Sequence, residues 1–198
     1  MKHVFVETNF LVELVRPFPA RAAEQLVARN GADVTLYVPW VSVVEAKRTL
    51  DRVINEDLGF GDAMMKYAVR EYLAGRCTAA QKSVLEGFAR QVKRDRAAAL
   101  QARHDLVDAR VASMLCIEPT AAVVRRTLSM FPIKSLPPFD EMVMGAVLSK
   151  ADELNVLGET ALYFCNLNRS DFDPTNRPTL DAEYRRLNLT YLDHFNVP

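Results

Sequence analysis

Cysteine, histidine and glycine are all scarce in this chain, and each scarcity removes a class of function. The three cysteines, Cys77, Cys116 and Cys165, lie far apart with no C-x-x-C pair. That excludes a disulfide framework or a cysteine-built zinc site and reads as core thiols in a reducing compartment. The three histidines, His3, His104 and His194, show no paired spacing, so the nitrogen ligands that zinc prefers are missing too. Formal net charge is zero at pH 7, so any attraction for nucleic acid has to come from local patches. No apolar run reaches the roughly 18 to 20 residues of a membrane helix, and the opening residues read as a strand rather than a signal segment. The expectation is a soluble, cytoplasmic protein with no membrane partner. The phosphate-cradling G-x-x-x-x-G-K-[ST] loop and the G-x-S-x-G nucleophile elbow are both absent, against P-loop nucleotide enzymes and serine hydrolases. A phosphatase that places two aspartates one residue apart after its first strand is disfavoured by Glu7-Thr8-Asn9.

What is present is enough apolar material, 49% of 198 residues, to bury the core of one compact domain. Strands are expected at about 3–6, 34–38, 114–117, 161–165 and 189–192. Helices should lie between them, near 20–30 with a stop at Asn30-Gly31, after Pro39-Trp40, at about 120–130 and at about 140–155. This alternation predicts an α/β fold with a mostly parallel central sheet flanked by helices. Residues 52–112, rich in alanine and arginine, read as a helical insertion forming an arm, broken at Gly59-Phe60-Gly61 and at Gly75, with Thr78 and Gln81 as a capping box. Residues 173–182 read as an irregular excursion. Arg90, Lys93 and Arg94 share a helix face, but Glu86, Asp95, Asp105 and Asp108 are interleaved, so that face reads as solvated.

Four acids stand at the edges of apolar runs. Glu7 closes Val4-Phe5-Val6, Glu45 follows Leu36-Tyr37-Val38-Pro39 by a helical step, and Asp171 follows Ala161 to Cys165. Asp140 opens a helix announced by Pro137-Pro138, whose buried stripe is Val143, Val147, Ala151 and Leu154. Taken singly, Glu7 and Asp140 also suit the positive end of a helix dipole, Glu45 a surface ion pair with Lys47 or Arg48, and Asp171 a turn. As an ordered set, they can meet where parallel strands end. A carboxylate-only cluster suits a hard divalent cation such as magnesium, which takes oxygen ligands and activates water for phosphodiester hydrolysis. Asn9 and Asn168 add groups suited to a water or a phosphate oxygen, and Thr8 is placed to orient the first acid.

These segments resemble the PIN domain family. Val4-Phe5-Val6-Glu7-Thr8-Asn9 is similar to its opening strand ending in aspartate-threonine-asparagine, and Val38 to Glu45 to its second acidic segment. Phe139 to Ala146 resembles its aspartate-led helix, and Phe164 to Phe172 its strand and loop ending in aspartate-phenylalanine. The resemblance implies a PIN-like three-layer fold over residues 1–198 and a magnesium- or manganese-dependent endoribonuclease. Glu7, Glu45, Asp140 and Asp171 would be metal ligands and catalytic residues, with Thr8, Asn9 and Asn168 at the substrate. It also implies an RNA substrate, a homodimer and, for the toxin members, a cognate antitoxin. Glu7 departs from the family's aspartate by one methylene, and the arm is longer than in the smallest toxins. The alternative is a catalytically degenerate PIN-like module that binds RNA or protein.

Overall fold

The computed structural model describes residues 1–129 and 136–198, except the side chains of residues 53–58. The first expected helix end after the third strand, at residue 130, lies outside the described residues. Five strands, β1 (Lys2–Val6), β2 (Val34–Pro39), β3 (Leu115–Ile117), β4 (Leu162–Cys165) and β5 (Leu189–Leu192), form one sheet in the order β3-β2-β1-β4-β5. Every pairing is parallel. Helices cover both faces: α1 (Thr8–Leu14), α2 (Arg21–Ala28), α5 (Ala121–Ser129), α6 (Pro138–Val156) and α8 (Pro178–Arg186), with a short α7 (Arg169–Phe172). The result is a three-layer α/β fold.

Period-two alternation explains the layers, because successive strand side chains leave a sheet on opposite faces. Val4, Val6, Leu36, Val38 and Cys165 enter one core with Phe10, Leu11 and Leu14 of α1 and Leu26 of α2. Phe5, Tyr37, Leu162, Phe164 and Leu189 enter the other, with Val143, Val147, Ala151 and Leu154 of α6 and Tyr184 of α8. The stripe expected on α6 is thus buried. α6 is drawn tightly onto α5 because Gly145 leaves no room for more: a Cβ there would sit 2.0 Å from Thr127 Oγ1 and 3.0 Å from its Cα. Val143, one turn after Asp140, is buried in the core that also holds Phe5 and Phe164 of the sheet.

The sheet order reverses between β1 and β4, since the chain winds outward through β2 and β3 on one side and through β4 and β5 on the other. Such a reversal leaves a crevice at the carboxyl ends of the two strands, where crossovers depart in opposite directions. Val6 pairs with Cys165 across that boundary, so Glu7 and Asn166 are the next residues on each side.

Two long helices, α3 (Trp40–Leu73) and α4 (Ala79–Val111), carry the insertion. The chain divides into two compact units, Met1–Ala46 with Val107–Pro198, and Lys47–Leu106. The second overlaps the insertion expected at 52–112. Thr78 and Gln81 form the expected capping box: Gln81 Oε1 accepts the Thr78 N–H at 2.8 Å and Thr78 Oγ1 accepts the Gln81 N–H at 3.2 Å. The break at Gly75 is also real, with φ +69° and the Arg76 N–H bonded back to the Glu71 carbonyl, a left-handed helix stop.

Two expectations are corrected. α3 runs through Gly59 and Gly61 without a break. Gly61 serves close approach instead, since a Cβ would lie 2.9 Å from Cγ of Lys93 on α4. The excursion at 173–182 ends at Arg177, because Pro178 occupies the first turn of α8, where its fixed φ and missing N–H suit a helix start. Leu180 and Tyr184, one turn apart and both buried, then anchor α8, each worth about 1.5–3 kcal/mol by apolar burial.

Candidate active site

Glu7 leaves β1 in extended conformation (φ −135°, ψ −166°) and stands immediately before α1, yet its side chain makes no capping bond. It turns inward instead. Only 5% of the residue is exposed, and Oε1 has no hydrogen-bond partner. Burial is the main reason its pKa is pushed up to about 8; Glu45 and Asp140 add repulsion, while the Asn9 backbone N–H and amide pull the other way. A helix-dipole role does not require a buried, unpartnered oxygen.

Glu45 comes from the second turn of α3, directly after β2. Thr8 Oγ1 donates to Glu45 Oε2 at 2.6 Å, so this hydroxyl orients the second acid rather than the first. Asp140 lies in the first turn of α6 and its pKa is raised to about 6 by burial, then by the charges of Asp171 and Glu45. The mutual electrostatic influence joins Glu7 to Glu45 and Asp140, and Asp140 to Glu45 and Asp171. The four predicted acids therefore share one neighbourhood at the strand ends.

Asp171 differs from the others in being internally neutralised. Arg177 Nη2 donates to its Oδ1 at 3.0 Å and Asn168 Nδ2 to its Oδ2 at 2.6 Å. Asn168 is thereby occupied in holding Asp171, while its own Oδ1 accepts from Ser170. Asn9 is exposed beside Glu7. Asp173 is a turn residue, as its position before Pro174 predicts: its Oδ1 accepts the Thr175 N–H at 2.9 Å and the Thr175 hydroxyl, which hold its pKa down. Phe172 is core, packed edge-on against Phe164 at 5.4 Å.

Two residues that sequence reasoning did not select belong here. Asn166, fully buried, follows β4 beside Glu7 in the register, and its Nδ2 has no partner. Its Oδ1 accepts the Asn168 N–H at 2.7 Å. Arg177 needed knowledge of α8's start. The parallel pairing of the two apolar runs was the signal for Asn166, because it makes the residues after each run neighbours.

The donor chemistry fits a hard divalent cation: buried carboxylates with lifted pKa values, an orphaned Glu7 oxygen and no soft ligand. Among the described residues, no three His, Cys, Asp or Glu side chains are drawn close enough together to enclose one ion. No helix among them is long and apolar enough to cross a membrane. No protein-family model matches the chain, and no curated protein matches it.

Proposed function

We propose that this chain is a PIN-like endoribonuclease that hydrolyses RNA phosphodiester bonds with magnesium or manganese. The observation that carries the reading is Glu7: a buried carboxyl with an unsatisfied oxygen, raised in pKa by its burial and then by two further acids, at the point where the sheet order reverses. Such crowding is costly in the absence of a cation and is relieved by one. A bound divalent ion supplies Lewis acidity and a water of lowered pKa. The chain's own groups supply the rest. Glu7, Glu45 and Asp140 offer oxygens, Thr8 fixes the direction of the Glu45 carboxylate, and Arg177 and Asn168 fix the position of Asp171, which acts on Asp140 by its charge. Asp171 thus takes part in setting the charge of the site while both its oxygens are already bonded.

The test is cleavage of labelled RNA with magnesium or manganese. Activity should vanish in chelator and in Asp140→Asn; undiminished cutting in either condition would defeat the proposal. Cytoplasmic action, a homodimeric state and a toxin role with a cognate antitoxin belong to the same proposal, supported by the likeness of the four segments alone.

A second reading, a degenerate PIN-like module that binds RNA or protein, is favoured by the extra methylene of Glu7 and by the Arg177 guanidinium already seated on Asp171. Restoring aspartate separates the two. Activity created by Glu7→Asp in an otherwise inactive chain supports degeneration, whereas activity lowered by it supports a site adapted to glutamate.

A further inference from the structure

The formal neutrality of the chain conceals a partition. Of its 25 basic and 25 acidic residues, twelve and eight fall between Lys47 and Leu106, leaving thirteen and seventeen to the other unit. The arm is therefore net positive and the unit holding the acids net negative. A polyanion approaching the acidic site is repelled there and attracted to the arm.

The arm also exposes aromatic rings that an isolated helical hairpin gains nothing by exposing. Phe60 is 58% exposed, Tyr67 49% and Phe88 56%. Phe60 and Tyr67 stand seven residues apart on α3, hence on one face, and line one shallow hollow with Lys66 and Arg70. Tyr67 lines a second hollow with Arg76 and Val84 of the turn and α4, and Phe88 lies one helical turn beyond Val84. Among the described residues lining the two hollows the cations are Lys66, Arg70 and Arg76, and the acid is Glu71, which pairs with Arg76 at 2.6 Å and with Arg70 at 3.4 Å, so three positive charges face one negative. The Arg70 guanidinium lies 5.4 Å from the Tyr67 ring centre. The face of Arg90, Lys93 and Arg94, read from spacing as solvated, is different: there Lys93 is paired with Asp62 at 2.6 Å and Gln91 with Asp95 at 2.7 Å.

Exposed rings alternating with cations are the chemistry that holds single-stranded nucleic acid, with bases on the rings and phosphates on the cations. We propose that this aromatic, cationic face of the arm holds single-stranded RNA. The inference rests on the ribonuclease reading for its choice of polyanion, and assigns substrate holding to a surface separate in sequence from the acids. A basic partner protein is disfavoured by the charge of the face, and pairing of two copies would oppose like charges.

The experiment is fluorescence anisotropy of a labelled twelve-nucleotide single-stranded RNA with the full chain in chelator, so that binding is read without cleavage. Contacts to about three phosphates give roughly a twentyfold loss of affinity between 50 and 200 mM salt. Each stacked base accounts for about five- to a hundredfold in affinity, so the combined Phe60→Ala, Tyr67→Ala and Phe88→Ala variant should bind at least tenfold more weakly. The paired reversal Lys66→Glu and Arg70→Glu, at exposed positions, should do the same and flatten the salt dependence. No RNA binding by the natural chain, or binding unchanged in both variants, overturns the proposal. So does sedimentation showing a dimer that the alanine variant dissociates, which would assign the face to a second copy. The two readings fail separately: cleavage that persists with unchanged binding in the variants leaves the nuclease and removes the arm. Arm-dependent binding without metal-dependent cleavage does the reverse.

Discussion

Replacing Glu7 by glutamine should make the metal-free protein more stable, by an amount that grows with pH. In the unfolded chain the carboxyl titrates at its ordinary value of 4.5, whereas in the fold it holds its proton up to about 8. Between those values the folded state binds more protons than the unfolded one, so stability falls as pH rises through the window. Below 4.5 both states are protonated and the glutamate costs nothing on this account. Converting at about 1.4 kcal/mol per pH unit, the penalty is about 1 kcal/mol at pH 5, about 3 at pH 7 and about 5 at pH 9, as orders of magnitude. Glutamine keeps the shape and cannot ionise, so it escapes the penalty. Urea unfolding of the natural chain and Glu7→Gln in chelator, at those three pH values, reads the difference directly from the midpoints. The gap should widen from pH 5 to pH 9. Adding magnesium should narrow it at high pH, because the cation favours the carboxylate. Parallel stability curves, or a gap that shrinks with rising pH, would refute the argument that this acid is buried at a thermodynamic cost.

Thr8→Val removes the 2.6 Å hydrogen bond to Glu45 while keeping the side-chain shape, and should weaken manganese binding about 10- to 100-fold, as outer partners of metal ligands typically do, with little change in melting temperature. Metal titration of the variant checks this, and unchanged affinity refutes the role. Gly145→Ala forces a methyl against Thr127 and should destabilise the fold by about 1–3 kcal/mol through overpacking, measured by urea unfolding; a neutral result contradicts the close α5–α6 approach. Arg177→Gln frees one oxygen of Asp171 and leaves its charge unbalanced beside Asp140. The titration of Asp140 in the metal-free chain, about 6 and read by carboxyl NMR in chelator, should move upward, and an unmoved titration would separate Arg177 from the site.

Much of this was legible because it depends on short-range patterning. The runs around Val4, Leu36 and Phe164 are apolar on consecutive residues, which in a sheet covered on both faces is what a central strand must show. The capping box at Thr78 and Gln81 and the stripe on α6 are likewise local. Errors arose where a distant contact decided the outcome. Gly61 looked like a break because glycine costs about 1 kcal/mol in a helix interior, but Lys93 packs into the space it leaves. The start of α8 at Pro178 lay in a polar stretch whose two buried anchors, Leu180 and Tyr184, were too few to give a period. Arg177 then became a site residue only through that helix, since its position relative to Asp171 is a matter of how α7 and α8 are connected. Asn166 was readable only once β1 and β4 were known to be neighbours.

The central proposal is that Glu7, Glu45 and Asp140, which do not enclose an ion in the metal-free chain, draw together on one divalent cation when it binds. Calorimetric titration of manganese into the natural chain tests it most directly, alongside Asp140→Asn, Glu45→Gln and the exposed control Asp152→Asn, which sits on an outer ion pair with Arg186. Saturable binding in the natural chain and the control, weakened at least tenfold in both site variants, is the predicted result. Equal affinity in all four proteins, or none in the natural chain, would contradict it.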